Sequence, residues 1–198
     1  MGSKIFAVAA VLGLAAYLFW PRKNDLRHDV PSDVQTCKKN MTAIYKGWVA
    51  LKKQTGQLPQ GPGPAMIAGL IANGIWEDTD AYRKMMTCPG PDAHALPQAI
   101  DFTQTASLNN ASSAYACRNQ KDYPLARFPA GGANNEPILA CDNANGMNHD
   151  GVMNVLYTDG SITTLHLDQE IERGRLPAGT TTIIVGKESP IENLKKLR

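Results

Sequence analysis

The chain has 198 residues, with 43% hydrophobic and 19% charged side chains and a formal net charge of +2. This length allows one compact domain with an appendage and is small for two domains. The near-neutral charge, with lysines and arginines scattered along the chain, gives no indication of a nucleic-acid partner.

The first segment of the chain predicts a membrane anchor. After Lys4, sixteen apolar or small residues run to Trp20 without a charge, and as a helix they would span roughly 24 Å, the short end of a bilayer crossing. Tyr17 lies where an interfacial aromatic belt is expected. A cleavable signal peptide and a buried core helix are the alternatives, but the bulky end of the run is a poor cleavage site. We expect residues 1–21 to form a single-pass anchor and residues 22–31 a polar linker.

The clearest helix pattern follows this linker. Ser32, with Gln35 three residues later, is typical of a capping box at the start of a helix, and Gly56 is typical of a helix end. Between them, apolar residues recur at alternating steps of three and four, which predicts one buried helix face. These residues are Val34, Cys37, Met41, Ile44, Trp48 and Leu51.

Shorter elements are predicted in the rest of the chain. Proline and glycine positions indicate a short helix over residues 64–73, and a further helical turn is expected within residues 78–86. Short strands are predicted within residues 112–118 and 136–142. Near the end of the chain we expect a helix over residues 168–174, a final strand over 180–186 and a last short helix over 189–198.

A β-hairpin is predicted for residues 152–167. Two β-prone runs flank Asp159-Gly160, which is typical of a tight turn because glycine adopts positive φ without steric cost. The more apolar side of the first run consists of Met153, Val155 and Tyr157. We therefore expect Val155 and Leu165 to pack against the long helix, near Ile44 and Trp48. Helices and antiparallel strands together predict an α+β fold for residues 32–198.

Patterns for catalysis and metal binding are weak. No two of the four histidines have the i, i+4 spacing of a zinc protease, and nucleophile elbows, phosphate loops and dinucleotide motifs are absent from the sequence. We expect no enzyme activity, no cofactor and no metal site. Weak calcium candidates are Asp142, Asn145 and Asp150, whose spacing does not fit an EF-hand. His149 has no matched nucleophile, so we interpret it as structural, with general-base catalysis as the alternative.

Four cysteines are distributed along the chain: Cys37, Cys88, Cys117 and Cys141. None belongs to a Cys-x-x-Cys pair, which argues against a zinc ribbon or a thioredoxin-type motif. An even number of cysteines on a membrane-tethered domain predicts two disulfides in an oxidising compartment. Four buried free thiols are the alternative.

Several of these features follow the order seen in a known group. The segments TCKKNMTAIYKGWVALKKQTGQLP, TCPGPD, SSAYACR and EPILACD, and then His149 with nine residues before Asp159-Gly160, resemble the landmarks of bacterial pilin-like proteins of the His-x9-Asp-Gly group. The resemblance implies a pilin-like or pseudopilin-like fold: an N-terminal membrane helix, then a long amphipathic helix packed on an antiparallel sheet. It implies a structural role for His149, Asp159 and Gly160.

The same resemblance implies a membrane-anchored structural or assembly protein of a type IV pilus or type II secretion-type system. The partners would be membrane lipid and other pilin-like subunits, secretion components or copies of the chain. The anchor would lie in the inner membrane, with the domain in the periplasm or outside the cell. A membrane-tethered periplasmic binding module for a protein or small ligand is the alternative.

Two features of the chain differ from the group's pattern. Prepilins carry a glutamate at the fifth mature position, whereas the apolar run of this chain contains none. Cys117 and Cys141 stand where the group has small residues near strand ends, and we expect them to form one disulfide because neighbouring strands bring residues within bonding distance. Cys37, if it forms a disulfide, is expected to pair with Cys88.

Overall fold

The computed structural model describes residues 32–61, 63–90, 101–109, 112–142 and 147–198. The predicted anchor (1–21) and linker (22–31) lie outside the described residues. Among the helices that are described, none combines the length and apolarity needed to cross a bilayer. The described residues form an α+β fold with a four-stranded antiparallel sheet, which confirms the predicted fold class at that level.

Helix α1 spans Ser32–Thr55, and its predicted apolar stripe is buried throughout. The stripe includes Trp48, whose indole Nε1 donates a hydrogen bond to the carbonyl oxygen of Met66 at 3.0 Å. The largest side chain of the stripe therefore satisfies its one polar atom inside the core. Asp33 lies in the first turn and Lys52 in the last, the ends at which the helix dipole favours these charges.

The other helices are short. Helix α2 spans Pro64–Ala72, α3 spans Asp80–Met85 and α4 spans Leu167–Glu172, with 3-10 turns at Thr105–Ser107, Gly132–Asn134 and Glu192–Lys196. Helix α2 is apolar and buried over most of its length, as expected for a helix that packs between larger elements.

The sheet is a meander in which each strand pairs with the next along the chain. Its strands are β1 (Ala116–Cys117), β2 (Pro137–Ala140), β3 (Val152–Tyr157) and β4 (Ile162–His166), and all pairs are antiparallel. Strands β3 and β4 form the predicted hairpin. Gly160 in its turn has φ +86°, a conformation that side chains with a Cβ disfavour.

The C-terminal segment differs from the prediction. Residues 180–186 form no strand, and the last predicted helix is the 3-10 turn Glu192–Lys196. Ile183 and Val185 are nevertheless buried, so their apolar character serves packing in an irregular segment. The chain then ends beside β1, where Cys117 and Arg198 exchange backbone hydrogen bonds of 3.0 and 2.7 Å. This pairing protects an otherwise open sheet edge.

The side of the sheet that faces helix α1 also differs from the prediction. The Asn154 side chain donates to the carbonyl oxygen of Val34 in α1 at 3.3 Å, and neighbouring residues of a strand point to opposite sides. Val155 therefore points away from this part of the helix. Both sides of β3 are covered, because four consecutive residues are fully buried: Met153, Asn154, Val155 and Leu156. The number of apolar residues on each side therefore does not identify the side that faces α1.

Candidate metal centre

Three cysteines and one histidine converge on the side of the sheet that faces helix α1. They are Cys37, Cys88, Cys141 and His149, and their sulfur and ring nitrogen atoms all lie within 4.8 Å of one another. All four residues are buried. Among the described residues, no other group of three or more cysteine, histidine or acidic side chains is arranged to hold a metal ion.

Each of these residues comes from a different part of the fold. Cys37 lies on the buried stripe near the start of α1, Cys88 follows α3, Cys141 follows β2, and His149 precedes β3. Pairing of β2 with β3 continues past the end of β2, because the backbone N–H of Cys141 donates to the carbonyl oxygen of Asn154 at 3.0 Å. The sheet register therefore brings Cys141 to the side on which Asn154 contacts α1.

Hydrogen bonds orient the imidazole of His149. Its Nε2 lies 3.1 Å from the Cys88 sulfur, and its Nδ1 lies 2.8 Å from Asp33 Oδ2. Because a carboxylate accepts, Nδ1 carries the donated proton, and Nε2 is directed at the thiols. Metal-binding histidines commonly have this arrangement, in which the second ring nitrogen donates to a carboxylate or a carbonyl oxygen.

The loop that carries His149 is fixed by Asp142 and Asn148. The Asp142 carboxyl group accepts a hydrogen bond from the Asn148 backbone N–H at 2.5 Å. The Asn148 side-chain amide donates to the carbonyl oxygens of Ala114 at 3.2 Å and Cys141 at 2.6 Å. Burial raises the pKa of Asp142 to about 7. These bonds hold His149 close to Cys141, although the two residues are not neighbours in sequence.

The electrostatics of the cluster favour a negative charge on sulfur. Hydrogen bonds with the thiols of Cys141 and then Cys88 hold the pKa of Cys37 well below its ordinary value. Burial raises the pKa of Cys141. For His149, burial acts to lower the pKa, but hydrogen bonding to Cys37 and to Asp33 outweighs it and leaves the pKa raised. The lowered pKa of Cys37 favours its thiolate, which is the form in which a cysteine binds a metal.

The arrangement fits a metal ion better than a bound substrate. Cys88, His149 and Asp33 form the series of nucleophile, base and orienting carboxylate that thiol enzymes use. Cys88 borders an open cavity of about 480 Å³ that Thr36 and Asn40 also line. Catalysis, however, requires the substrate to reach both the sulfur and the base, and here Cys88 is 0% and His149 2% exposed. A single ion needs only the small space between the four side chains.

The predicted disulfides are not formed, and all four cysteines are free thiols. Leu139, and not Cys141, stands directly opposite Cys117. Cys141 is two residues farther along, and diagonal neighbours of this kind are about 7–8 Å apart, beyond the roughly 4.4–6.8 Å between Cα atoms that a disulfide needs. Cys37 and Cys88 do lie together, but as two members of the four-residue cluster.

The weak calcium candidates do not form a comparable site. Asp142 is buried, with its carboxyl group bonded to the Asn148 backbone, whereas Asp150 is exposed. Asn145 lies outside the described residues. In the described part of this loop, the Asp142 carboxyl group therefore accepts a hydrogen bond within a turn.

The two parts of the predicted His-x9-Asp-Gly motif lie at opposite ends of β3. His149 precedes the strand, while Asp159 and Gly160 follow it in the hairpin turn. Asp159 Oδ1 accepts hydrogen bonds from the backbone N–H and the hydroxyl of Ser161 at 2.8 and 2.6 Å. The Asp-Gly pair therefore shapes the turn, and His149 belongs to the cluster.

Sequence reasoning missed the cluster because its members are far apart along the chain. Asp33, which orients His149, was not identified either. Two signals were present: Cys37 lies on the buried stripe of α1, and Cys141 and His149 flank one short polar loop. Neither signal includes Cys88, which only the folded chain brings to the site.

Comparisons with known proteins give no neighbour for this fold or this cluster. No family model, no curated protein and no solved structure matches the chain.

Proposed function

We propose that this chain is a membrane-anchored, pilin-like structural or assembly protein of a type IV pilus or type II secretion-type system. The observation that carries the proposal is the packing of helix α1, 24 residues long, on an antiparallel meander. This helix follows directly after the predicted anchor and linker. A long helix that continues from a membrane segment and packs on a sheet is the arrangement that the sequence resemblance implies.

The surface of α1 is consistent with a domain outside the membrane. One side of the helix is the buried apolar stripe, and the opposite side presents polar side chains, among them Lys38, Lys39 and Lys46. A helix with one apolar side and one charged side packs against a single layer and leaves the other side to water or to a neighbouring subunit. The lysines provide a hydrophilic surface for either arrangement.

The start of α1 is joined firmly to the sheet. Asp33 bonds His149 at 2.8 Å, and the carbonyl oxygen of Val34 accepts the Asn154 side chain at 3.3 Å. These contacts lie where the predicted linker enters the domain. A subunit that is held by an N-terminal anchor and carries load needs such a connection at this position, which supports a structural role.

The anchor is tested by fractionating cells that express the full chain. We expect the protein in the membrane fraction, resistant to extraction by alkaline carbonate and released by detergent. A variant with Leu12→Arg should lose much of this association, because a charge at the centre of an apolar span costs about 2.5–3.5 kcal/mol. A full chain that is soluble without detergent would contradict the proposal.

Assembly is tested on the same membranes with an amine-reactive cross-linker, which can use the exposed lysines of α1. We expect a ladder of cross-linked species in the wild type, and oligomers or filaments of the detergent-purified chain under the electron microscope. The Leu12→Arg variant should give a weaker ladder at equal expression. A chain that stays monomeric at every concentration and cross-links to no other protein would contradict an assembly role and favour the tethered binding module.

A further inference from the structure

We propose that Cys37, Cys88, Cys141 and His149 bind one structural zinc ion, which joins helix α1 to the sheet. Nothing in the sequence resemblance assigns this site. The inference goes beyond the proposed function, and it rests on the convergence of the four side chains.

The dimensions of the cluster match a tetrahedral zinc site. With zinc–sulfur bonds of about 2.3 Å, the sulfur atoms of a regular tetrahedron lie about 3.8 Å apart. The ligand atoms here all lie within 4.8 Å of one another. Side-chain rotations that move these atoms by about 1 Å would bring them to the distances of a tetrahedral site. The 3.1 Å between Cys88 Sγ and His149 Nε2 is slightly shorter than the corresponding edge, and this pair must open by about half an ångström.

The types of ligand select the metal and its role. Three thiolates and one imidazole are a ligand set of structural zinc sites, whereas magnesium and calcium prefer oxygen. Four protein ligands complete a tetrahedron and leave no position for a substrate, which is the arrangement of structural zinc sites. All four residues are buried, so the ion would be shielded from solvent.

The surroundings already provide a second layer of contacts around such an ion. Asp33 accepts from His149 Nδ1, which leaves Nε2 free to bind the metal. The backbone N–H of Asn154 donates to the Cys141 sulfur at 3.1 Å, and the Tyr115 hydroxyl lies 3.9 Å from the Cys37 sulfur. Zinc with three thiolates carries a net negative charge, which these donors would offset.

The ion would add a crosslink to the hydrogen bonds that already join these segments. It would link the start of α1, the segment after α3, the end of β2 and the loop before β3, which are far apart in sequence. A crosslink of this kind stabilises the folded state because it closes long loops. The histidine of the His-x9-Asp-Gly motif would then act as a metal ligand, and its Asp-Gly pair as a turn.

The first test is the metal content of the full chain, purified in detergent and without chelators, with all first-row metals measured by mass spectrometry. We expect about one zinc per chain for the wild type and for the matched control Cys117→Ser, which changes a buried free cysteine outside the cluster. Cys37→Ser and Cys88→Ser should contain little zinc. Equal zinc in these variants, stoichiometric iron or copper, or a Cys37–Cys88 disulfide in the isolated protein would overturn the assignment.

A thermal measurement extends this test. When zinc is removed with a chelator and then returned, we expect the unfolding midpoint of the wild type and of Cys117→Ser to rise by roughly 5–10 °C at a free zinc concentration 100 times the dissociation constant. Cys88→Ser should show almost no rise. A wild-type midpoint that zinc does not raise would contradict the proposal.

A second variant remains informative if the cysteine variants fail to fold. Asp33 is one-third exposed, so Asp33→Asn should fold while its contact with His149 weakens. We expect zinc affinity, measured by competition with a chelator, to fall about 10–100-fold, and Asp78→Asn on the surface to leave it unchanged. An unchanged affinity in Asp33→Asn would place the metal elsewhere. Zinc binding is measured whether or not the chain assembles, so this proposal and the proposed function fail separately.

Discussion

Gly160→Ala tests the packing of the hairpin turn against helix α1. Gly160 has φ +86°, and a Cβ atom built on it would lie 2.7 Å from Cε1 and 3.0 Å from Cζ of Tyr45. The substitution therefore has two separable costs, the strain of a positive φ and a steric clash with the Tyr45 ring. Tyr45 is not free to move away at no cost, because its hydroxyl donates to the Thr158 carbonyl oxygen at 3.2 Å and its ring packs edge-to-face on Phe128.

The expected magnitude is the sum of these two costs. A non-glycine residue with positive φ costs about 1–2 kcal/mol, and forcing extra atoms into a packed contact costs typically about 1–3 kcal/mol. Gly160→Ala should therefore lower the free energy of unfolding by about 2–5 kcal/mol. For a chain of this size, that corresponds to a decrease of roughly 4–20 °C in Tm, which thermal denaturation followed by circular dichroism resolves.

Gly174→Ala is the matched control, because Gly174 has φ +69° with no atom within 4 Å of the added Cβ. This variant should show the strain cost alone, about 1–2 kcal/mol. In the double variant with Tyr45→Ala the clash is absent, so a double-mutant cycle should give a coupling of about 1 kcal/mol or more between the two positions. Equal Tm decreases in Gly160→Ala and Gly174→Ala would refute the proposed contact with Tyr45.

Three further predictions concern other parts of the fold. Gly90→Ala directs a Cβ into a backbone carbonyl of the loop before β3, so we expect urea denaturation to show a decrease of more than about 3 kcal/mol in the free energy of unfolding. The control Gly131→Ala, whose Cβ has only an ordinary contact, should show almost no decrease, and equal decreases would contradict this packing. Trp48→Phe should cost about 2–4 kcal/mol, since it removes a buried hydrogen bond to the Met66 carbonyl oxygen and leaves a cavity in the core, and an unchanged Tm would contradict that role. Burial acts to raise the pKa of Glu136, but its hydrogen bond to buried Arg118 outweighs it and leaves the pKa lowered. Its stabilising contribution is therefore present above about pH 5 and is lost as the pH falls through the lowered value, so Glu136→Gln should destabilise the protein at neutral pH and progressively less in acid; a loss independent of pH would show that the charge is not responsible.

The elements that sequence predicts well are those with a local pattern. The stripe of α1 repeats every three to four residues, and a buried helix face requires that repeat, so the buried set from Val34 to Leu51 could be identified from the sequence. The hairpin was predictable for a similar reason, since Asp159-Gly160 fixes the turn between two β-prone runs. Both patterns are encoded within a few neighbouring residues.

The features that were not predicted depend on contacts between distant parts of the chain. Val155 was expected to face α1 because its side of β3 is the more apolar, but both sides are buried and Asn154 faces the helix through its hydrogen bond to Val34. Residues 180–186 have the composition of a strand, yet form none. The apolar composition of this segment reflects its burial. A strand also needs a backbone partner, and that partner lies elsewhere in the sequence.

The cluster of thiols and imidazole shows the same limit most clearly. The spacing of the cysteines excluded known zinc motifs, because those motifs place two ligands on one turn. Here Cys37, Cys88 and Cys141 come from three separate elements, and His149 comes from a fourth. An even cysteine count then favoured disulfides, although Cys117 lies outside the cluster that the other three form.

X-ray absorption at the zinc edge of the purified full chain tests the central structural claim most directly, because it reads the number and type of the atoms bound to the metal. We expect three sulfur atoms at about 2.3 Å and one nitrogen atom at about 2.0–2.1 Å from the zinc. Any zinc that the Cys88→Ser variant retains should have one sulfur neighbour fewer. A zinc ion surrounded by oxygen and nitrogen atoms alone, or a spectrum that Cys88→Ser leaves unchanged, would contradict it.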